Sequence, residues 1–340
     1  MTHEFKTILE TYLETKKVGL KCVLATVVYL EGSSYRKPGV RMLVLENGKI
    51  VGAVSGGCVE KDIVRQSQEV FETGEPKMMQ YDGRYRLGCE GILHILLEPF
   101  SPNESCIDLI EGIFKTRQDF IITSKYLKEE GLNESIGSYL IVGDKKFNLS
   151  GKLNGFKVTD DSMFQFEQLM KPCFKLLIFG GEHDAVVLSG MASQLGWEVG
   201  VVTPPSEAKT KEDFPGTDYF AATDVELLDL NFLDDETSIV VMSHNFSHDL
   251  KYLKVLSNYP FAYLGLLGPA KRREKLLSQL IELEPEIEHD FLEHIHGPAG
   301  LDIGAETPQE IALSILSEIL SATRDKKPIS LKDKKERIHA

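Results

Sequence analysis

The chain is expected to be an α/β protein: an N-terminal mixed α+β domain followed by a Rossmann-like domain with a mostly parallel sheet. Three observations carry that expectation. At 340 residues the chain exceeds the usual size of one domain and can bury about three quarters of its unfolded surface. Short strand-type runs in the first half are broken by turn signals, of which Asn47-Gly48 is the strongest. From Phe174 the pattern changes. Lys175 to Phe179 is an apolar strand, Gly180-Gly181 its turn, Ala185 to Leu195 a helix closed by Gly196, and Trp197 to Val202 the next strand. Strand, glycine turn, helix and strand with short connections open a doubly wound sheet. The expected domains are residues 1–170 and 171–325, with 326–340 as a basic C-terminal tail.

Composition narrows the function classes. Hydrophobic content of 42% and charged content of 26% are those of a globular protein. No run approaches the roughly 20 apolar residues of a membrane helix. Met1 to Lys17 is a charged amphipathic stretch, unlike a signal peptide, so a cytoplasmic location and no membrane partner are expected. A net charge of -14 discourages a nucleic-acid partner. The five cysteines, at 22, 58, 89, 106 and 173, are odd in number and lack a CxxC pair, which argues against a disulfide framework, a zinc site and iron–sulfur ligation.

In chain order, Phe5, Ile8, Leu9, Tyr12 and Leu13 fall at helical spacing, and the helix should end near Gly19. Leu20 to Leu30 reads as a strand, Met42 to Leu45 and Lys49 to Val54 as a hairpin, and Val59 to Phe71 as an amphipathic helix. Met78 to Tyr81 and Ile92 to Leu97 are strands, Ile107 to Thr116 a helix, and Phe120–Tyr126, Ser138–Val142 and Lys146–Leu149 short strands. Asp160 to Pro172 reads as a connecting segment. In the second domain, Ser238 to Met242 and Ala262 to Leu266 continue the sheet, with helices through Asp249–Leu256 and Lys271–Leu283. Thr307-Pro308-Gln309-Glu310 is a capping box opening a helix through Ile311 to Leu320.

Two glycine-rich stretches carry the most chemistry in the first domain. Ser55-Gly56-Gly57-Cys58-Val59-Glu60 sits where a strand gives way to a helix. Glycines there let consecutive N–H groups turn toward an anion, and the helix start adds partial positive charge. Cys58 at that position should hold its thiolate more readily than an ordinary cysteine. Gly88-Cys89-Glu90-Gly91 repeats the combination of cysteine and glycine. The loop from Gly32 to Arg41 gathers Ser33, Ser34, Arg36, Lys37 and Arg41, which suggests an anion clamp because guanidinium groups hold phosphates bidentately. The plainer alternatives are a solvated turn at Gly32–Arg41 and a tight turn with a small buried cysteine at Cys58.

In the second domain the dinucleotide fingerprint G-x-G-x-x-G/A would fall on Gly180-Gly181-Glu182-His183-Asp184-Ala185. Glu182 replaces the glycine that lets backbone approach the pyrophosphate, and Thr203 stands where an acid for the ribose is expected. NAD(P) is therefore disfavoured. Gly180, Gly181, His183, Asp184, His244 and Asn245 follow strand C-termini, the edge at which open α/β sheets bind ligands. His289, His294 and His296 lack metal-site spacing, and no metal site is expected.

These motifs together resemble the XdhC/CoxI family, the accessory proteins for molybdenum hydroxylases such as xanthine dehydrogenase. The resemblance rests on Gly32 to Met42, Ser55 to Glu60 and Leu87 to Gly91 in the first domain. In the second it rests on Leu195-Gly196-Trp197, Met242-Ser243-His244, Gly265 to Gly268 and Pro298 to Ala312. It implies a chaperone that binds the molybdenum cofactor (molybdopterin), assists its sulfuration with a cysteine desulfurase and delivers it to an apo-xanthine dehydrogenase or a related hydroxylase of purine catabolism. Cys58 and Cys89 would then be sulfur carriers, with Ser33, Ser34, Arg36, Arg41, Ser55, Gly56, Gly57 and Gly88 around the cofactor and Gly180, Gly181, His183 and His244 contributing from the second domain. A homodimer is an expectation from the prevalence of symmetric pairs. The competing reading is an NAD(P)-dependent oxidoreductase with His244 as acid or base.

Overall fold

A computed structural model describes residues 1–32, 37–83, 91–143, 145–151 and 163–334. The chain divides into two compact units, Met1–Pro172 and the part beginning at Cys173.

The first unit opens with α1 (Thr2–Lys17), whose Phe5, Ile8, Leu9 and Tyr12 form one buried stripe. There follow β1 (Cys22–Glu31), β2 (Arg41–Leu45), β3 (Ile50–Gly52), α2 (Cys58–Thr73), β4 (Lys77–Asp82), β5 (Ile92–Pro99) and α3 (Glu104–Thr116). The unit continues with β6 (Phe120–Tyr126), β7 (Gly131–Leu132), β8 (Gly137–Val142), β9 (Lys145–Asn148) and β10 (Phe164–Met170). One sheet has the order β3-β2-β1-β5-β4-β7 and the other β10-β6-β8-β9. Gly48 takes φ +83 in the turn between β2 and β3, as the Asn47-Gly48 signal requires.

Both faces of the first sheet are covered. Val59, Ile63 and Val70 of α2 pack with Val23, Ala25, Val27, Ile95 and Leu97 on one face. On the other, Leu24, Leu43 and Leu45 meet α1, α3 and the second sheet through Phe120, Ile122 and Leu140. The segment from Asp160 to Pro172 is not simply a connection: β10 pairs antiparallel with β6 from Phe164↔Tyr126 to Met170↔Phe120. Its polar Gln165, Glu167 and Gln168 obscured the alternation that marks a strand.

Arg41 also differs from expectation. It starts β2, and its side chain turns into the interior, 4% exposed, rather than toward a surface anion. One terminal nitrogen, Nη1, donates to Gly39 O at 3.0 Å and to Gln168 Oε1. The fully buried Glu98 of β5 lies on the same side and accepts from Ser138 N–H at 2.7 Å. Arg41 Nε and Nη2, Glu98 Oε1 and Thr26 Oγ1 are buried without hydrogen-bond partners in this interior.

The second unit comprises β11 (Lys175–Phe179), α4 (His183–Gln194), β12 (Glu198–Thr203), β13 (Tyr219–Ala222), β14 (Thr237–Val241), α5 (Phe246–Leu256), β15 (Tyr263–Leu266), α6 (Ala270–Leu283), α7 (His289–Glu293), β16 (Ile295–His296) and α8 (Pro308–Thr323). All neighbouring strands are parallel, in the order β13-β12-β11-β14-β15-β16. That is a doubly wound sheet with its direction of winding reversed between β11 and β14. α4 and α8 cover one face through Leu188, Ala192, Ile315 and Ile319. α5 and α6 cover the other through Leu253, Leu256, Leu276 and Leu280. Thr307 caps α8 as expected: Thr307 Oγ1 accepts from Glu310 N–H at 3.3 Å, and Glu310 Oε2 from Thr307 N–H at 2.9 Å.

Candidate functional site

Strand directions in the first unit bring several loops to one end of the first sheet. Glu31, the last residue of β1, pairs with Ile92 at the start of β5, and Ile92 pairs with Asp82 at the end of β4. On the other side of β1, Arg41 begins β2 opposite Thr26, and β3 ends at Gly52 opposite Met42. The chain therefore leaves the sheet at Gly32, at Gly52 and at Gly83, and returns at Gly91, all on one edge. A hydrogen bond from Gly83 N–H to Gly91 O, 3.0 Å, closes the base of the loop between β4 and β5. Ser33, Ser34, Arg36, Gly88 and Cys89 belong to these loops by sequence and lie outside the described residues.

Ser55 to Cys58 form the described part of the edge. Gly57 has φ +113, a conformation that only glycine holds without strain, and a Cβ on Gly56 or Gly57 would meet no atom within 4 Å. Gly56, Gly57 and Cys58 are exposed. Among the described residues Cys58 is the exposed cysteine, while Cys22, Cys106 and Cys173 are buried. Burial pushes the Cys22 and Cys106 thiols up to about 11, which keeps them protonated and unreactive at neutral pH. The thiol available for soft-sulfur chemistry is thus at the start of α2.

The glycine loop already carries an anion of its own. Glu60, in the first turn of α2, accepts through Oε1 from Val54 N–H at 3.0 Å and Ser55 N–H at 2.5 Å, and through Oε2 from Gly57 N–H at 2.6 Å. Burial alone would raise this carboxyl, but the N–H groups of Ser55, Glu60, Gly57 and Val54 outweigh it and hold Glu60 below the usual carboxylate range. The N–H groups of Ser55 and Gly57, expected to face a ligand, therefore face Glu60. The sequence signal for this was a glutamate three residues after the helix N-cap, the second half of a capping box. Arg41 points into the interior instead, so the clamp expected of it is not formed at this edge.

In the second unit, the candidate residues stand at the C-terminal edge where the winding reverses. Gly180 takes φ +142, and a Cβ there would lie 2.5 Å from Met242 O, so β11 and β14 approach as only glycine allows. Glu182 is the exposed N-cap of α4 and His183 its exposed first residue. His244, in the left-handed region at φ 53, brings Nε2 to 3.7 Å from Asp184 Oδ2. Asn245 caps α5, its side-chain oxygen accepting from Ser247 N–H and His248 N–H. Beneath them Asp249, fully buried, accepts from Ser243 Oγ and pairs with Arg272 Nη2 at 2.6 Å. This buried pair was not singled out from the sequence, where an aspartate in the first turn of a helix is unremarked. His289, His294 and His296 each face a carboxylate, Glu293, Asp290 and Glu318. Among the described residues no group of His, Cys, Asp or Glu is arranged to hold a metal ion, and no helix is long and apolar enough to cross a membrane.

Comparison with known proteins matches both units. Residues 176–319 match the model described as the XdhC Rossmann domain, and residues 16–82 the model described as the XdhC and CoxI family. The chain is 28% identical to a Bacillus subtilis (strain 168) protein named as a probable subunit of xanthine dehydrogenase, over 94% of this chain and 98% of that one. It is 24% identical to the molybdenum cofactor insertion chaperone PaoD of Escherichia coli (strain K12), over 94% of this chain and 89% of PaoD. A crystal structure of a Bacillus halodurans protein described as a xanthine dehydrogenase superimposes with a TM-score of 0.75 at 26% identity, covering 95% of this chain and 97% of the other. With one family model falling in each unit and full-length relatives spanning both, the chain belongs to the XdhC/CoxI family.

Proposed function

We propose that this protein is a maturation factor that binds molybdenum cofactor and delivers it to a xanthine dehydrogenase-type hydroxylase. The observation that carries the reading is the exposed Cys58 thiol at the open Gly56-Gly57 helix start, on the sheet edge where the family's other glycine loops leave the strands. The residues present suit the cofactor: a soft sulfur for a dithiolene-bound metal, and glycines whose Cβ positions are open space. Gly56, Gly57 and Cys58 would hold it, with Ser33, Ser34, Arg36, Gly88 and Cys89 in the adjoining loops. When bound, the cofactor supplies the molybdenum and pterin dithiolene that the hydroxylase uses. The names carried by the relatives, one tied to xanthine dehydrogenase and the other to cofactor insertion, support the same role.

Sulfuration adds a narrower element. The Cys58 thiolate would take the terminal sulfur from a cysteine desulfurase persulfide, becoming a persulfide itself and leaving the desulfurase cysteine as thiolate. Cys89 is the second candidate carrier. The oxidoreductase reading is not favoured, because Glu182 stands exposed where a pyrophosphate would approach the turn.

The test is cofactor retention. The protein is purified from molybdenum-replete cells, bound pterin is released by acid oxidation to its fluorescent form, and wild type is compared with Cys58→Ala. Pterin near one per chain in wild type and strongly reduced in the variant supports the reading. Absence of pterin from wild type, or full retention and full sulfuration with Cys58→Ala, overturns the roles given to the protein and to this cysteine respectively.

A further inference from the structure

The end of the first sheet opposite the glycine loops holds a cleft that cofactor handling does not use. β1 begins there at Cys22 and β5 ends there at Pro99, while α1 and α2 run out beside them at Lys17 and Thr73. Between these chain ends lies an open cleft of about 520 Å³, a volume in the range that holds small organic ligands. Gly19 and Gly74, which follow the two helices with φ +72 and +71, border it. A Cβ on either would meet no atom within 4 Å, so the cleft is reached from solvent and not filled by the chain. β1 is ten residues long and sets this end about 30 Å from the edge where the glycine loops leave the sheet.

The floor of the cleft is apolar and its rim is charged. Tyr12, Val23, Val70, Phe71 and Phe100 supply ring and branched surface, with Tyr12 set edge-on to Phe100 at 5.1 Å between centroids. Burial raises both the Tyr12 hydroxyl and the Cys22 thiol, the latter to about 11, so both wall groups are neutral at pH 7. The charged side chains of the lining are Lys16, Lys21 and Glu72, two cations against one anion. Lys16 Nζ pairs with Glu104, and Lys21 Nζ donates to Phe71 O at 3.1 Å. An ammonium carries three N–H donors, so each lysine keeps donors to spare. The Glu104 carboxylate is 76% exposed, and an ion pair so solvated is worth little, so a ligand can take its place at small cost. Two helix C-termini at the cleft draw positive charge, and Lys16 and Lys21 already supply it. A cationic ligand would compete with them, whereas an anion gives their unused donors a partner.

We propose that this cleft binds a small organic monocarboxylate, its carboxylate held by Lys16 and Lys21 and its apolar body lying on Tyr12, Phe71 and Phe100. One carboxylate matches the excess of one cation at the rim. A second would meet Glu72 and find no further cation in the lining. Burial of the apolar body supplies the affinity, and the two ammoniums fix its orientation and select for charge. Occupancy of the cleft does not depend on a cofactor at the other end of the sheet.

The test uses the full chain and isothermal titration calorimetry with octanoate, naphthoate and indoleacetate. The carboxylate that binds best is then compared with its primary amide and with the amine in which an aminomethyl group replaces the carboxylate. It is also titrated into the double variant Lys16→Gln, Lys21→Gln. At least one carboxylate should bind wild type at one per chain. The amide, the amine and the double variant should each show binding weaker by about tenfold or more, the loss of a charge-assisted hydrogen bond. Both lysines are exposed, so the double variant should fold as wild type does, which far-UV circular dichroism checks. No binding of any of the three carboxylates to wild type overturns the proposal, as does unchanged affinity in the folded double variant. Amide or amine binding as tightly as the carboxylate, measured on wild-type protein and so free of any folding defect, also overturns it.

Discussion

Replacing Glu98 by glutamine should remove the pH dependence that this residue imposes on the first unit. Glu98 is fully buried on β5, and burial pushes its carboxyl from 4.5 up to about 7, against the opposing pull of the Ser138 hydrogen bonds and of Arg41. Its folded value is therefore above its unfolded value. Below pH 4.5 both states hold the proton and the contribution is fully present. As pH rises toward 7, the unfolded chain releases the proton while the folded chain keeps it, so stability is lost. At about 1.4 kcal/mol per pH unit, the gap amounts to about 3 kcal/mol. Glutamine resembles the protonated acid and can still accept from Ser138 N–H. The difference in stability between Glu98→Gln and wild type should thus be near zero at pH 4.5 and should favour the variant by about 3 kcal/mol at pH 8. Taking the difference cancels the titration of every other group. Urea unfolding followed by far-UV circular dichroism measures it, and Trp197, the sole tryptophan, separates out the second unit by fluorescence. A difference that stays flat with pH, or a variant less stable than wild type at pH 8, would refute the reasoning.

Three further outcomes are expected. Glu60→Gln removes charge from three hydrogen bonds at the α2 start and should cost about 1–2 kcal/mol at pH 7. Because Glu60 is held below its ordinary value, its contribution is present above pH 4.5 and lost as pH falls through the folded value, so wild type and variant should converge in acid denaturation curves. Arg272→Ala leaves the buried Asp249 without its cation and should destabilise the second unit by about 3–5 kcal/mol, read from Trp197 fluorescence in urea. Gly180→Ala places a methyl against Met242 O at a φ that alanine resists, and the Trp197 emission of that variant should shift toward the solvent-exposed wavelength.

What the sequence disclosed depended on whether a residue's role was local. The hairpin at Asn47-Gly48, the α2 start at Cys58 and the capped α8 all follow from neighbours within four positions, and each is where local chemistry puts it. The β11–α4–β12 unit was legible for the same reason. Arg41 was not: beside Ser33, Ser34 and Arg36 it read as one of a cluster of surface cations. Its burial comes from the pairing of β2 with β1 and from β10, whose Gln168 is distant in sequence. Glu98 and Ser138 are likewise brought together only by tertiary folding. β10 itself is hidden in the sequence because the apolar Phe164 and Leu169 fall at exposed positions while the polar Gln168 is buried, which breaks the alternation of a strand.

The carboxylate seated on the glycine loop makes any incoming anion an exchange partner rather than an occupant of a vacant nest. An anion that takes the N–H groups of Ser55 and Gly57 takes them from Glu60, and the displaced carboxylate must then move into water or accept a proton. Capture of such an anion at this edge would be coupled to movement of the Glu60 carboxylate into water and to loosening of the first turn of α2, the turn that carries Cys58. Release would follow the same path in reverse, with Glu60 closing the loop behind the departing ligand and competition for the same N–H groups setting the direction of the exchange.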